Sequence, residues 1–318
     1  MPARNEGVHV GLPPDVFKRL SRLNRELVRD QLTTGDRVRP VRAASGAEVE
    51  SAAGAASLEL LIPGRQCEAL GGRFYWVRRA AEEFRPETGP DADEAIDGAD
   101  LVARYRRVFF GAGAAAAPDD LPEGLRRLVQ ANPARVTYLD IETCGLAGEP
   151  LFLIGLMRFQ KDSLRVDQLL ARDYSEERPL LAAFWKELAK TECLVTFNGK
   201  TFDVPTIMSR SMACGLFESP ELPAHVDLLH ESRRRWKKAV PNCRLQTLEE
   251  WICRRRRSGD IPGCDIPAAF HDFVRARQSA DPVRQARSLR RLQTIMHHNA
   301  LDLVTMAELV THLLDSRP

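Results

Sequence analysis

Long hydrophobic runs are missing from this 318-residue chain. Its apolar stretches are short and broken by charges, and no basic start leads into an apolar segment, which argues against a membrane-spanning helix or a secretory leader. The chain is therefore expected in the cytoplasm, with no membrane partner. CxxC pairs are missing too. Cys67, Cys144, Cys193, Cys214, Cys243, Cys253 and Cys264 form an odd set, which fits reduced thiols better than a disulfide framework. The loosely spaced Cys243, Cys253 and Cys264 leave a zinc or iron–sulfur site open, although metal knuckles usually bring paired ligands close together. No GxxxxGK[ST] loop occurs, so nothing supports ATP use. Net charge is close to absent at +2, yet residues 232–257 hold ten Arg or Lys against two Glu. Basicity is thus concentrated in one stretch.

What is present divides into three parts. Residues 1–57 read as a partly disordered extension: Val16, Leu20, Leu23 and Leu27 recur at helical spacing behind Asp15, followed by small-residue tracts with little to bury. Residues 58–125 read as a small β-containing flap and linker. Two short strands are expected there, at 58–62 and 71–77, with Phe74, Tyr75 and Trp76 serving either as packing or as a platform on which bases stack. Residues 126–318 have the clearest plan. Strands are expected at 136–140, 151–159, 164–171, 193–197 and 226–229, and helices at 176–190, from about Phe202, at 245–256 and at 289–314. This order implies an α/β domain with a mixed central sheet flanked by helices.

Four acids in this last part point to chemistry. Asp140 and Glu142 lie two residues apart at the end of the first of these strands, so alternation sends both to one face. Asp203 follows the fourth strand by six residues, early in a helix. Asp302 sits in the final helix among Ala300, Leu301, Leu303 and Val304. Each acid alone has a plain alternative, as a turn cap, a helix-start residue or a solvated helix position. Together they form an oxygen-only donor set suited to Mg²⁺ or Mn²⁺. Two such ions about 3.5–4 Å apart would hold the attacking and leaving oxygens of a phosphodiester. His298, four residues before Asp302, shares its helical face and is the candidate general base. The adjacent His297 takes that place if the helix starts later.

These stretches resemble a known family, the DEDD exonucleases of the ribonuclease H-like fold, and within them the YprB-like proteins. The matching segments are Leu139-Asp-Ile-Glu-Thr-Cys-Gly-Leu146, Phe152-Leu-Ile-Gly155, Phe197-Asn-Gly-Lys-Thr-Phe-Asp203, Asp227-Leu-Leu229 with Arg233-Arg-Arg-Trp236, Leu245-Gln-Thr-Leu-Glu249, Asp260-Ile-Pro-Gly263 and His298-Asn-Ala-Leu-Asp302. The resemblance implies a ribonuclease H-like fold, two metal ions on Asp140, Glu142, Asp203 and Asp302, and His298 in the place of the family's tyrosine or histidine. It also implies Asn198 near the scissile nucleotide, Phe202 or Leu146 as a wedge against the terminal base, and trimming of single-stranded DNA or RNA from the 3′ end. Cys144 stands where threonine is more usual.

Arg233, Arg234, Arg235, Lys237 and Lys238 with Trp236, then Arg254 to Arg257 with Trp251, would neutralise phosphates and stack bases, or form a solvated helix face. A binding module without catalysis and a structure-selective endonuclease are the rival readings; protein partners are not indicated.

Overall fold

The computed structural model describes residues 57–83, 98–111, 121–145, 148–217, 221–257 and 259–315, all within the unit spanning 54–318. The helix expected within 14–30 lies outside the described residues.

Seven strands form one mixed sheet: β1 (Arg65–Ala69), β2 (Gly72–Ala80), β3 (Val136–Thr143), β4 (Leu151–Gln160), β5 (Ser163–Leu170), β6 (Cys193–Thr196) and β7 (Ala224–Asp227). Their spatial order is β1-β2-β5-β4-β3-β6-β7. Pairing is antiparallel from β1 to β3, whereas β6 and β7 run parallel to β3. Helices cover the sheet: α1 (Leu58–Leu61), α2 (Gly98–Phe110), α3 (Glu123–Gln130), α4 (Glu177–Leu188), α5 (Asp203–Ala213), α6 (Leu228–Trp236), α7 (Leu245–Trp251), α8 (Ile266–Ala276) and the 34-residue α9 (Pro282–Asp315). β4 reads Leu-Phe-Leu-Ile-Gly-Leu-Met-Arg-Phe-Gln and is buried through Phe159, as a strand covered on both faces must be. Its one charged residue, Arg158, is matched by Glu187 of α4 at 2.9 Å. No helix among the described residues is long and apolar enough to cross a membrane.

Two local expectations change. The stretch 58–62 is a helical turn rather than a strand, with the Ser57 hydroxyl accepting from the Leu60 amide. The hairpin lies further on. β1 and β2 join through Leu70 and Gly71, both at positive φ (48° and 75°), as the primed two-residue turns require. β2 then pairs with β5, from Tyr75 opposite Leu170 to Ala80 opposite Arg165, so the hairpin extends the main sheet. Phe74 and Tyr75 are buried in the core, and the Trp76 indole donates to Asp167 at 2.7 Å. These rings pack. Phe74 and Tyr75 have no face free for a base, and the half-buried Trp76 ring has Arg65 and Arg78 against it.

The other difference lies after α7, where a helix was expected to run to residue 256. It ends at Trp251, and the following segment turns through Arg254 at φ 56°. Arg255 and Arg257 point inward there. Arg255 is 5% exposed and bonds Glu249 at 2.6 Å, Glu308 at 3.1 Å and the Thr305 hydroxyl at 2.6 Å. Charges this deep persist only when paired, so the pairs tie the segment to α9.

Candidate active site

Sheet geometry sets the first two acids. Asp140 and Glu142 are half-buried on one side of β3, between the buried Leu139, Ile141 and Thr143. The β3–β4 register shifts between Glu142 and Thr143, a bulge of the kind that re-aims side chains beside sites. On β4, Gly155 lies opposite Asp140. A Cβ at Gly155 would stand 2.2 Å from Asn299 Oδ1 and 2.9 Å from Leu303. Only glycine lets α9 approach the sheet this closely.

That approach positions the rest. Asn299, fully buried on α9, donates through Nδ2 to Asp140 Oδ2 at 2.7 Å. Its own Oδ1 accepts from Gln168 Nε2 at 2.9 Å, and the same Gln168 amide donates to the Met296 carbonyl at 2.7 Å. One turn further on, Asp302 Oδ2 lies 3.7 Å from His298 Nε2, while Asp302 Oδ1 receives Arg257 Nη2 at 2.5 Å. Arg257 also reaches Glu249 at 2.7 Å and Asp260 at 3.3 Å. Asp260 meets His298 Nδ1 with its two oxygens at 2.8 and 2.9 Å. The imidazole is therefore oriented from one side by Asp260 and presents Nε2 to Asp302.

Asp203 arrives from another direction, as the first residue of α5. It is 4% exposed, and a backbone hydrogen bond at Ile141 links it to β3. The loop before it is shaped by three devices. Asn198 adopts φ 65°; a Cβ at Gly199 would stand 2.4 Å from Thr196; and Asp227 accepts the amides of Asn198 at 2.8 Å and Lys200 at 3.1 Å.

Electrostatics show that these acids share one environment. Burial pushes Asp140 well above the usual carboxylate range, and the charges of Asp302, Glu142 and Asp203 push it further against the Asn299 hydrogen bond. Burial raises Glu142 to about 8, with Asp302, Asp203 and Asp260 adding to the rise and His298 opposing it. Burial lifts Asp203 to about 7, aided by Asp227 and Asp302. For His298, burial favours the neutral ring but is outweighed by the Asp260 hydrogen bond and the charges of Asp302, Glu142 and Asp260, which raise it to about 9. Asp260 is lowered: burial works against this, and the His298 hydrogen bond and charge with Arg257 prevail.

Buried carboxylates that repel one another favour a cation or a proton. Oxygen donors alone select a hard ion, so the chemistry of the donor set fits Mg²⁺ or Mn²⁺. Among the described residues no group of three or more His, Cys, Asp or Glu is already drawn together around an ion position. Arg257 is the charge that Asp302 holds instead.

The remaining sequence candidates separate. Asn198 is exposed, and Phe202, 39% exposed, immediately precedes Asp203. Leu146 lies outside the described residues. Arg233, Arg234 and Arg235 are exposed on α6, Arg234 meeting Glu231 at 3.2 Å. Trp236, grouped with them as a stacking ring, is instead a core residue, 9% exposed, that shares an apolar cluster with Leu228 and Leu248. It has no free face for a base. Arg255 and Arg257, expected on phosphates, are occupied by buried acids. His297 is half-buried beside His298. Sequence reasoning missed Asn299, Gly155 and the roles of Arg257 and Asp260. The signals were slight: an acid in Asp260-Ile-Pro-Gly263 and a glycine within an apolar strand.

Comparison with known proteins agrees with this architecture. The chain is 33% identical over 187 residues to the uncharacterized protein YprB of Bacillus subtilis (strain 168), an alignment that takes in 57% of this chain and 42% of that protein. The chain thus spans less than half of that relative's length. The family B DNA polymerase from the hyperthermophilic archaeon Pyrobaculum calidifontis matches at a TM-score of 0.44 with 19% identity, over 57% of this chain and 25% of the polymerase, a likeness too loose to build on. The RNase_H superfamily model matches residues 137–314, more than half of the chain and all four acids. The chain belongs to the ribonuclease H superfamily and, within it, is YprB-like.

Proposed function

We propose that the chain is a metal-dependent nuclease, a 3′–5′ exonuclease that hydrolyses phosphodiester bonds of single-stranded DNA or RNA. The observation that carries this is the meeting of Asp140, Glu142, Asp203 and Asp302 in one electrostatic environment, with His298 held between Asp260 and Asp302. The four acids would hold two Mg²⁺ or Mn²⁺ ions. When bound, such a pair activates the attacking water and stabilises the leaving 3′ oxygen.

The chain's own residues supply orientation and proton handling. Asp260 fixes the His298 ring through Nδ1, leaving Nε2 as the atom that takes or returns the proton of the attacking water. Asn299 holds one Asp140 oxygen and so restricts the directions from which that carboxylate acts as a ligand. Phe202 and Asn198 stand exposed at the entrance to α5, where they would meet the terminal nucleotide. A cytoplasmic location is part of the same proposal, supported by seven cysteines that are all free.

The test uses 5′-labelled single-stranded DNA and RNA with Mn²⁺, Mg²⁺ or chelator, for the chain and its Asp140→Ala variant. A metal-dependent ladder shortening from the 3′ end, absent in the variant, is the expected result. Activity equal in the variant would remove this site from consideration. The Arg257–Asp302 pair is the one observation favouring a binding module without catalysis; strand binding with no cleavage in any metal would select that reading. Strands with blocked 3′ ends separate the remaining case, since only an endonuclease still cuts them.

A further inference from the structure

Helix α9 continues N-terminally from the site as a basic rail. Between Pro282 and Thr294 it carries Arg284, Arg287, Arg290 and Arg291 and no acidic residue. Steps of three and four residues link Arg284, Arg287, Arg291, Thr294, His298 and Asp302, so all six share one face of a regular helix. That face closes gradually. Arg284 and Arg287 are exposed, Arg291 and Thr294 are half-buried, and His298 is buried within the site. The other side of the helix packs inward through Leu289, Leu292 and Met296, which fixes the direction in which the arginines project. A shallow groove lined by Val283, Arg287, Arg290, Arg291 and Thr294 runs along the same turns.

Unspent charge marks this face, as it also marks Arg233 and Arg235 on α6, but here the cations lie on the helix that carries His298 and Asp302. Arg255 and Arg257 are consumed by buried acids, and Arg291 shares Asp272 at 3.4 Å with Arg275. The guanidinium groups of Arg284, Arg287 and Arg290 have no acidic partner among the described residues. Arg284 and Arg287 on this face, with Arg290 beside it in the groove, fit a polyanion laid along the helix towards the site. At about 1.5 Å per residue, Arg284 lies about 27 Å from Asp302. With nucleotides about 3.4 Å apart in a stacked strand, that distance spans about eight of them.

We propose that the N-terminal half of α9 is a phosphate-binding track that holds the single strand about eight nucleotides back from the site, a role that rests on the nuclease reading for its substrate. The contacts are to phosphates, so the track is indifferent to base sequence and sensitive to salt.

The experiment measures binding of fluorescent strands of four to sixteen nucleotides by anisotropy, in the Asp140→Asn background so that no strand is cut. The Arg284→Gln/Arg287→Gln/Arg290→Gln triple variant is compared with a charge-matched control, Arg73→Gln/Arg106→Gln/Arg127→Gln, on β2, α2 and α3. Without substitutions on the rail, affinity rises with length and levels off near eight nucleotides. The triple variant is expected to lose at least tenfold on strands of eight or more, to lose the length dependence, and to show a slope of log K against log salt shallower by about two. Equal weakening in the control, or an unchanged length dependence in the triple variant, would overturn the track. Thermal melting of both variants within a few degrees of the parent shows that the comparison concerns binding. The nuclease reading fails separately, through lack of metal-dependent cleavage by the unsubstituted chain, and length-dependent loss of binding would still establish the track.

Discussion

Arg257 bears on both halves of the chemistry, because one guanidinium contacts the ligand candidate Asp302 and the acid that orients His298. Removing its charge leaves Glu249, 1% exposed, with Arg255 alone and Asp302 with only His298, at 3.7 Å. Loss of one partner from a buried ion pair costs about 3–5 kcal/mol, so urea denaturation of Arg257→Gln should show a destabilisation of that order. Gly155 is as exacting for a steric reason. Gly155→Ala would place a methyl 2.2 Å from Asn299 Oδ1, and overpacking of this kind costs about 1–3 kcal/mol. Its further consequence is that Asn299 is pushed off Asp140, so cleavage should fall more steeply than stability. Equal losses in the two assays would mean that the Asn299–Asp140 bond is unimportant to the reaction. Some of this residue-scale detail was open to sequence reasoning. Strand alternation placed Asp140 with Glu142, and helical spacing placed His298 with Asp302. Arg257 and Asp260 were not legible as site residues, because they lie in an irregular segment with no period to read.

Helix α6 shows how an element can be misread. A run of arginines drew attention to one face, whereas Leu228, Ser232 and Trp236, at four-residue steps, mark the inner face and assign the indole to the core. The period was visible and should have outweighed the company the tryptophan keeps. The hairpin was legible in part. Its second strand was expected close to where β2 runs, but the turn pair Leu70-Gly71 lacks the asparagine or aspartate that usually announces a primed turn. Leu70 at φ 48° is strained and 57% exposed. Leu70→Asn should stabilise the chain by about 0.5–1 kcal/mol, since asparagine tolerates the left-handed region better. Chemical denaturation would register this as a higher midpoint at unchanged slope.

For the molecule as a whole, the site is a source of instability at high pH. Glu142 and Asp203 have folded-state values of about 8 and 7, above the ordinary carboxylate range, so the folded chain binds their protons more tightly than the unfolded chain does. Stability is therefore greatest while both are protonated and declines as pH rises from about 4.5 through 8. His298 acts in the same direction: raised to about 9, it stabilises fully below about 6.5 and loses that contribution as pH climbs through 9. Melting in chelator should thus fall steadily between pH 5 and pH 9. Mn²⁺ should raise the melting temperature far more at pH 8 than at pH 5.5, and an equal increment at both would indicate binding elsewhere. Class and layering at this scale follow from the alternation of strands and helices in the sequence. The docking of α9 onto β3 does not, because it depends on Gly155, a position where the signal is a missing side chain.

His298 and Asp302 lie on α9, which leaves the ribosome after every strand and every other described helix. Domains fold as units, starting from the N-terminal side during synthesis. A nascent chain that has formed its sheet carries Asp140, Glu142 and Asp203 but neither the fourth acid nor the imidazole. A chain that stops short of α9 therefore lacks two residues of the proposed site and, with them, the apolar side chains that this helix adds to both core clusters.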